Sequence, residues 1–374
     1  MTAQSDRARG GLVARARTWV DSGGLRDRNV LLLGLILLLV VAMTALDAAG
    51  ITTGRFNSDY LVGSLINYVP LALLALAQLF VITTGRGSID LSVGSIVSVV
   101  GMVFGLLYVN AGWPLVQAVV AALIVSALLG AVNGVLTAYF GYPALITTLA
   151  TYYAFQSIAL VITGASPISG ANIAGLYSAA DSIELPLIGA YLPLVPLGMF
   201  TFVLPVAVIA WLLLNRTTYG RSLYAIGTNA VAAQWAGIDT RRTQLLAFVA
   251  SGLISGLVAI YTVAQFASAR PDAGTSGAGM ALPAITIAVL GGVAITGGIG
   301  RLSGVLLAAL LIVWLNASIL IVVPGNAGTQ LQYLALAVVL LGASLVDALP
   351  TRRARPGKDP GAPELPVPVT TKPQ

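Results

Sequence analysis

NVLLLGLILLLVVAMTAL, residues 29–46, decides the class of fold. Its 18 residues carry no charge, and Asn29 and Thr44 are their only polar side chains. A run of this length and composition reads as a helix crossing a bilayer, which takes about 20 mostly apolar residues. The residues before it, 1–28, form a polar, Arg-rich arm. A cleaved secretory signal has a short charged start and an apolar core of about 7–15 residues. The arm here is too long and the apolar run too extended, so the segment is read as an uncleaved first span.

Similar windows recur along the chain. They fall at approximately 29–48, 61–84, 92–109, 114–139, 143–163, 192–214, 245–266, 282–296, 302–322 and 331–349. The expected fold is therefore an all-α integral membrane protein with about ten transmembrane helices. The eighth window is short and glycine-rich, which reads as broken or re-entrant. Composition agrees: of 374 residues, 57% are hydrophobic and 9% charged, against about 25% charged in soluble domains. The chain has no Cys and no His. This excludes disulfides, thiol nucleophiles, His-containing zinc sites and Ser–His–Asp hydrolysis.

Charge placement sets the orientation. With ten spans and a cytoplasmic N-terminus, the inside segments hold Arg7, Arg9, Arg15, Arg17, Arg26, Arg28, Arg86, Arg216, Arg221, Arg241, Arg242, Arg301, Arg352, Arg353, Arg355, Lys358 and Lys372, 17 of the 19 basic residues. Only Arg55 and Arg270 fall outside. Both termini are thus expected in the cytoplasm. Three regions follow: the basic arm 1–28, a transmembrane domain 29–350 with an inside loop at 215–244, and a tail 351–374. The tail is rich in Pro and basic residues and lacks aromatics, so it is read as disordered.

Glycine is abundant, with 41 residues. Gly130 with Gly134, and Gly252 with Gly256, have the GxxxG spacing that lets helix backbones approach closely. Two clusters go further: GRGSIDLSVGS (85–95) and VLGGVAITGGIGRLSG (289–304), a glycine-rich hairpin in each half. In the second, Gly291, Gly292, Gly297 and Gly298 are candidate hinge positions. Spans 2–5 and 7–10 have the opposed parity of an inverted repeat.

Asp90 is the one carboxylate embedded between apolar runs in the N-terminal half. A carboxylate at the bilayer centre costs about 2.5–3.5 kcal/mol. Two readings stand beside each other: a cap on the helix that starts just after it, or a group lining a pathway. With Gln78, Ser92, Ser95, Asn133, Thr147, Thr148 and Gln156, it makes up a set of pathway candidates. The uncharged members suit a neutral polyhydroxy solute, and each also suits plain interhelical hydrogen bonding.

The inside loop NRTTYGRSLYAIGTNAVAAQWAGIDTRRTQ (215–244) is longer than a connector requires. It contains a short helix over 229–236, with Asn229 as N-cap and Gly237 just past its end. Trp235 and Ile238 are expected in water there, which points either to docking in a partner's groove or to the headgroup layer.

At these residues the chain resembles the permeases of bacterial ABC-type monosaccharide importers, the group that carries ribose, arabinose, xylose, galactose, rhamnose and a furanosyl signal. The resemblance covers roughly residues 55–345. It is carried by GSIDLSVGS (87–95), AVNGVLTAYFGYPALITTLATYYAFQSIALVITG (131–164), YGRSLYAIGTNAVAAQWAGI (219–238) and LPAITIAVLGGVAITGGIGRLSG (282–304). It implies a subunit of the bacterial inner membrane that is not itself an enzyme. It implies as partners a cytoplasmic ABC ATPase, a second copy or a sister permease, and an extracytoplasmic sugar-binding protein, with no nucleic acid. It implies that Asn229, Ala232, Ala233, Trp235, Gly237 and Ile238 couple to the ATPase. Ala232, Ala233 and Gly237 match the AA-xxx-G core of the importer coupling motif, but Val231 stands where the family usually has glutamate. Ala281 likewise replaces a common glutamate before Leu282, and SARPDAG (268–274) looks like the rhamnose and furanosyl-signal branch. The chain lacks a GxxxxGK[ST] loop, so no cofactor is expected on it, and ATP and Mg belong to the partner ATPase. The main alternative is a secondary transporter of a small neutral solute driven by an ion gradient. The scarcity of buried ionisable groups opposes it.

Overall fold

The computed structural model describes residues 27–183, 193–276 and 279–353. The basic arm up to residue 26 and the tail from 354 lie outside the described residues. The helices are α1 (Arg28–Ala48), α2 (Ser58–Gly63), α3 (Tyr68–Thr83), α4 (Val93–Gly105), α5 (Leu115–Ala138), α6 (Ala144–Val161), α7 (Ala171–Gly175), α8 (Leu204–Arg216), α9 (Thr218–Thr228), α10 (Ala230–Trp235), α11 (Thr240–Phe266), α12 (Ala281–Leu290), α13 (Leu302–Val322) and α14 (Asn326–Arg353). Among the described residues the only strands are two-residue pieces, Ser182–Ile183 and Val195–Pro196, paired antiparallel. The all-α, multi-span class is as the sequence indicates.

Among the described residues, eight helical segments are long and apolar enough to cross a membrane, or nine if one bent pair is a single span, and a shorter apolar helix accompanies them. The window 61–84 is two helical pieces bent by 54°. Pro70 has no N–H to give to the Ile66 carbonyl four residues back, and that carbonyl instead accepts from the Tyr261 hydroxyl at 3.1 Å. The window 282–296 contains only α12, of 10 residues. At about 1.5 Å per residue it is about 15 Å long, half of what a bilayer core requires. It stops at Gly291 and Gly292, the latter with φ +93°.

α11 is the central helix, packed on α5, α3 and α4. The two GxxxG pairs face one another. A Cβ on Gly130 would overlap the Phe248 carbonyl oxygen, and one on Gly252 would overlap the Ser126 carbonyl oxygen. The helix backbones therefore touch. The outer helices turn apolar side chains outward, such as Leu37 on α1, Leu128 on α5 and Leu341 on α14. Lipid is their solvent, and the helical ladder already satisfies their backbone groups.

Two segments re-enter the bundle from opposite ends. After α3, Gly85, Arg86 and Gly87 take φ of +80°, +56° and +67°, and this turn sends residues 88–92 back inward without helix. From the other end, residues 267–276 run in before α12. The two meet where the backbones of Gly94 and Gly274 touch, and the Gly274 N–H donates to the Ser98 hydroxyl at 3.1 Å.

Candidate functional site

One end of the bundle gathers the α9–α10 pair, the turn after α3 and the hairpin 291–300. α9 is capped by Thr217, whose hydroxyl accepts from the Gly220 N–H at 3.3 Å. α10 follows after a single residue. The Asn229 side chain accepts from the Ala232 N–H at 3.0 Å, satisfying one of the donors that a helix start leaves open. Its other end is a Schellman closure: Gly237 N–H donates to the Gln234 carbonyl and Ile238 N–H to the Ala233 carbonyl, both at 3.0 Å. The left-handed residue this needs is Gly237, at φ +81°. Asp239 then caps α11 through the Arg242 N–H at 2.9 Å. Three caps within 23 residues fix a six-residue helix that stands off the bundle.

Ala233 is buried beneath α10, and Ile238 is half-buried. Ala232 and Gly237 are exposed. Trp235 is 88% exposed and Val231 61%. Large apolar groups are thus presented outward on a rigid platform.

Behind the platform, α9 joins the bundle through glycines. A Cβ on Gly227 would overlap both the Thr83 carbonyl oxygen and the Gly298 nitrogen, and one on Gly297 would overlap Gly85. Here the Gly298 N–H donates to the Thr83 carbonyl at 3.0 Å. Tyr224 adds a hydroxyl bond to the Gly300 carbonyl at 2.9 Å. The Tyr219 hydroxyl on α9 is buried without a partner, and burial pushes its phenol above the ordinary range. Gly291 packs on the backbone of Gly304 and Val305, and Gly292 lies beside Arg28. The Arg28 guanidinium donates to the last carbonyls of α12, Val289 at 2.8 Å and Leu290 at 2.9 Å, where a cation suits the helix C-terminus. Both glycine-rich sequence clusters therefore meet α9 at one junction.

A second assembly lies deeper. Asp90 is fully buried. Its Oδ1 accepts from the Ser92 N–H at 3.0 Å and the Ser92 hydroxyl at 2.6 Å, and its Oδ2 accepts from the Ser251 hydroxyl at 2.8 Å. Asn133 Nδ2 donates to Ser92 Oγ at 2.7 Å, and the Thr151 hydroxyl donates to Asn133 Oδ1 at 2.7 Å. The Gln78 side-chain amide brackets the Asp90 backbone, donating to its carbonyl at 2.6 Å and accepting from its N–H at 3.3 Å. Thr148 donates to the Ile89 carbonyl at 3.0 Å, and Ser95 to the Ser92 carbonyl at 2.9 Å. One polar network centred on Asp90 thus links α3, α4, α5, α6 and α11, while the carboxylate itself joins Ser92 at the start of α4 to Ser251 on α11.

Six of the eight pathway candidates, Gln78, Asp90, Ser92, Ser95, Asn133 and Thr148, belong to this assembly. Thr147 and Gln156 do not: Thr147 Oγ1 and Gln156 Oε1 are buried without hydrogen-bond partners among the described residues. Asp90 bonds the N–H of Ser92, the residue that itself stands at the N-cap of α4. Sequence reading left Ser251, Tyr224 and Gly227 out of its sites. Ser251 precedes the first glycine of a GxxxG pair, and a small residue there reads as packing.

A family model described as the permease component of the branched-chain amino acid transport system matches residues 60–346. The autoinducer 2 import system permease protein LsrD of Photorhabdus luminescens is 36% identical over 239 residues, 63% of this chain and 69% of that protein. The chain belongs to the ABC importer permease family. LsrD of Salmonella typhimurium is 34% identical to this permease over 244 residues, 64% of this chain and 70% of that one. LsrD of Yersinia enterocolitica is 34% identical over 239 residues, covering 63% and 70%. No solved structure matches the permease. Its family and its apolar helices make it a multi-pass protein of the bacterial inner membrane, and its relatives are transport subunits rather than enzymes.

Proposed function

We propose that this permease is the membrane subunit of an ATP-driven importer that moves a monosaccharide, or a related small polyhydroxy solute, into the cytoplasm by alternating access. The observation that supports it most is α10: a helix fixed by caps at both ends, off the bundle, with Trp235 and Val231 turned to solvent. Exposed apolar groups on a rigid helix are the features of a surface that docks in a partner's groove. The partner is an ABC ATPase, which holds the ATP and Mg. A second permease copy or a sister chain and an extracytoplasmic binding protein complete the importer. Both termini and the α9–α10 end face the cytoplasm, in keeping with the arginines gathered at that end: Arg28, Arg86, Arg216, Arg221, Arg241, Arg242 and Arg301.

In this reading, closure of the ATPases moves α10. α9 transmits the motion through Gly227 to the end of α3 and to the 291–300 hairpin together. The set tied by Asp90 moves as a unit, since its hydrogen bonds span five helices. The chain has no cysteine, so Trp235→Cys can be paired with single-cysteine ATPase variants. The disulfide yield is expected to change between the nucleotide-free and ATP-bound complex. A uniform failure to cross-link in any nucleotide state would remove α10 as the docking element.

A further inference from the structure

At the end of the bundle opposite α10 lies a cavity of about 710 Å³, between the bend at Asn67 and the far ends of α13 and α14. Its size is within the range of about 300–1,000 Å³ typical of small-molecule sites. Three amides converge on it from three elements: Asn67 at the bend, Asn316 on α13 and Gln332 on α14. Among the described residues, Asn316 makes no side-chain hydrogen bond. Gln332 spends only its Nε2, on the Asn316 backbone carbonyl at 3.0 Å. Asn67 spends only Oδ1, accepting a long 3.4 Å bond from Gln265. A whole amide, an amide NH₂ and an amide oxygen are thus left open to the cavity, near the outer ends of apolar helices. Asn67 is exposed and Asn316 and Gln332 are half-buried, so these groups are free to bond a solute that enters. Leu71 lines the wall, and Asp59, exposed, is the one charged lining residue.

We infer that this cavity is an outward-facing subsite for a neutral, aldose-sized polyhydroxy solute. The inference rests on the transport reading above and gives it a place in the chain. Each hydroxyl of such a solute donates and accepts, which matches open groups of both kinds. An acyl chain would leave all of them unpaired, and an anion would meet Asp59. The bend that opens the cavity is the one that Pro70 enforces and Tyr261 on α11 holds, so the site is tied to the central helix.

The test uses cells carrying the permease with its ATPase and binding protein, and four radiolabelled probes: D-ribose, D-xylose, L-rhamnose and autoinducer 2. Wild type is expected to accumulate at least one. Asn316→Leu and Gln332→Leu are each expected to lower its initial uptake at least tenfold while the ATPase still co-purifies. In the cysteine-free chain, Asn316→Cys should react with a membrane-impermeant maleimide added outside, and the transported probe should slow that reaction at least threefold. Leucine variants that transport at the wild-type rate would overturn the subsite and leave the importer reading standing. If those variants fail to reach the membrane, the maleimide reaction decides, and modification unaffected by the transported probe overturns the subsite. Wild type that accumulates none of the four overturns the subsite as stated. Recovery or absence of the ATPase then judges the importer reading separately.

Discussion

Replacing Asp90 by alanine removes one acceptor from three donors at once. The Ser92 N–H, the Ser92 hydroxyl and the Ser251 hydroxyl all bond this carboxylate, at 3.0, 2.6 and 2.8 Å. A buried donor left unpaired costs about 1–3 kcal/mol. Even at the low end, and with no charge for the cavity, the loss is about 3 kcal/mol. An ordinary interhelical hydrogen bond in a membrane protein averages about 0.6 kcal/mol, which is the size expected for Thr151→Val. Asp90→Asn keeps the volume and the acceptor for Ser92 but loses the acceptor for Ser251. It should fall between the two, at about 1–2 kcal/mol. The assay is thermal unfolding of the purified permease in one detergent, followed by tryptophan fluorescence. The expected order of midpoints is wild type, Thr151→Val, Asp90→Asn, Asp90→Ala, with the last clearly separated. Asp90→Ala unfolding at the wild-type temperature, or Asp90→Asn below Asp90→Ala, would refute the claim that this carboxylate holds the start of α4 to α11.

Other perturbations separate packing from coupling. Gly227→Ala sets a methyl against the Thr83 carbonyl and the Gly298 nitrogen. It should leave α10 and ATPase binding intact yet reduce transport per ATP hydrolysed, measured in proteoliposomes; an unchanged ratio would show that the junction transmits nothing. Gly252→Val forces α11 off α5, where backbones touch. Overpacking of this kind costs about 1–3 kcal/mol, read as a lowered unfolding midpoint, and a wild-type midpoint would contradict the close approach. Trp235→Ala removes an exposed side chain, so the midpoint should stay within a degree of wild type while ATPase affinity falls at least tenfold; the reverse pattern would make Trp235 a structural residue.

The class of fold was legible because lipid imposes a coarse rule. Most long apolar windows became membrane-length helices, since no other open backbone survives in contact with lipid. The glycines of the eighth window already read as a break, and the helix there is 10 residues long; the bend at the start of α3 was not legible. Pro70 was visible, but its effect depends on Tyr261, 191 residues later, taking over the Ile66 carbonyl. Composition cannot show such a pairing. The glycines of 85–95 and 289–304 stood out as clusters, yet their contact with each other and with Gly227 is a fact of tertiary structure. The ends of α10 were readable to the residue, because N-caps and left-handed glycines act within one turn. Asp90 was singled out by its cost, and its partner on α11 was not, because Ser251 looks like any small helix residue. Asn67 and Asn316 lie in the apolar windows 61–84 and 302–322, and only the bend and the far helix ends bring them around one cavity.

ATP-driven import needs an ATPase, and this sequence holds no GxxxxGK[ST] loop. The direct test is to tag the permease, purify it from its host in mild detergent, and identify its companions by mass spectrometry. The account expects an ATPase with a phosphate loop, lost when Ala232, Ala233 and Gly237 are replaced by bulky charged residues. Reproducible purification without any ATPase, together with solute uptake driven by an ion gradient in liposomes of the permease alone, would contradict it.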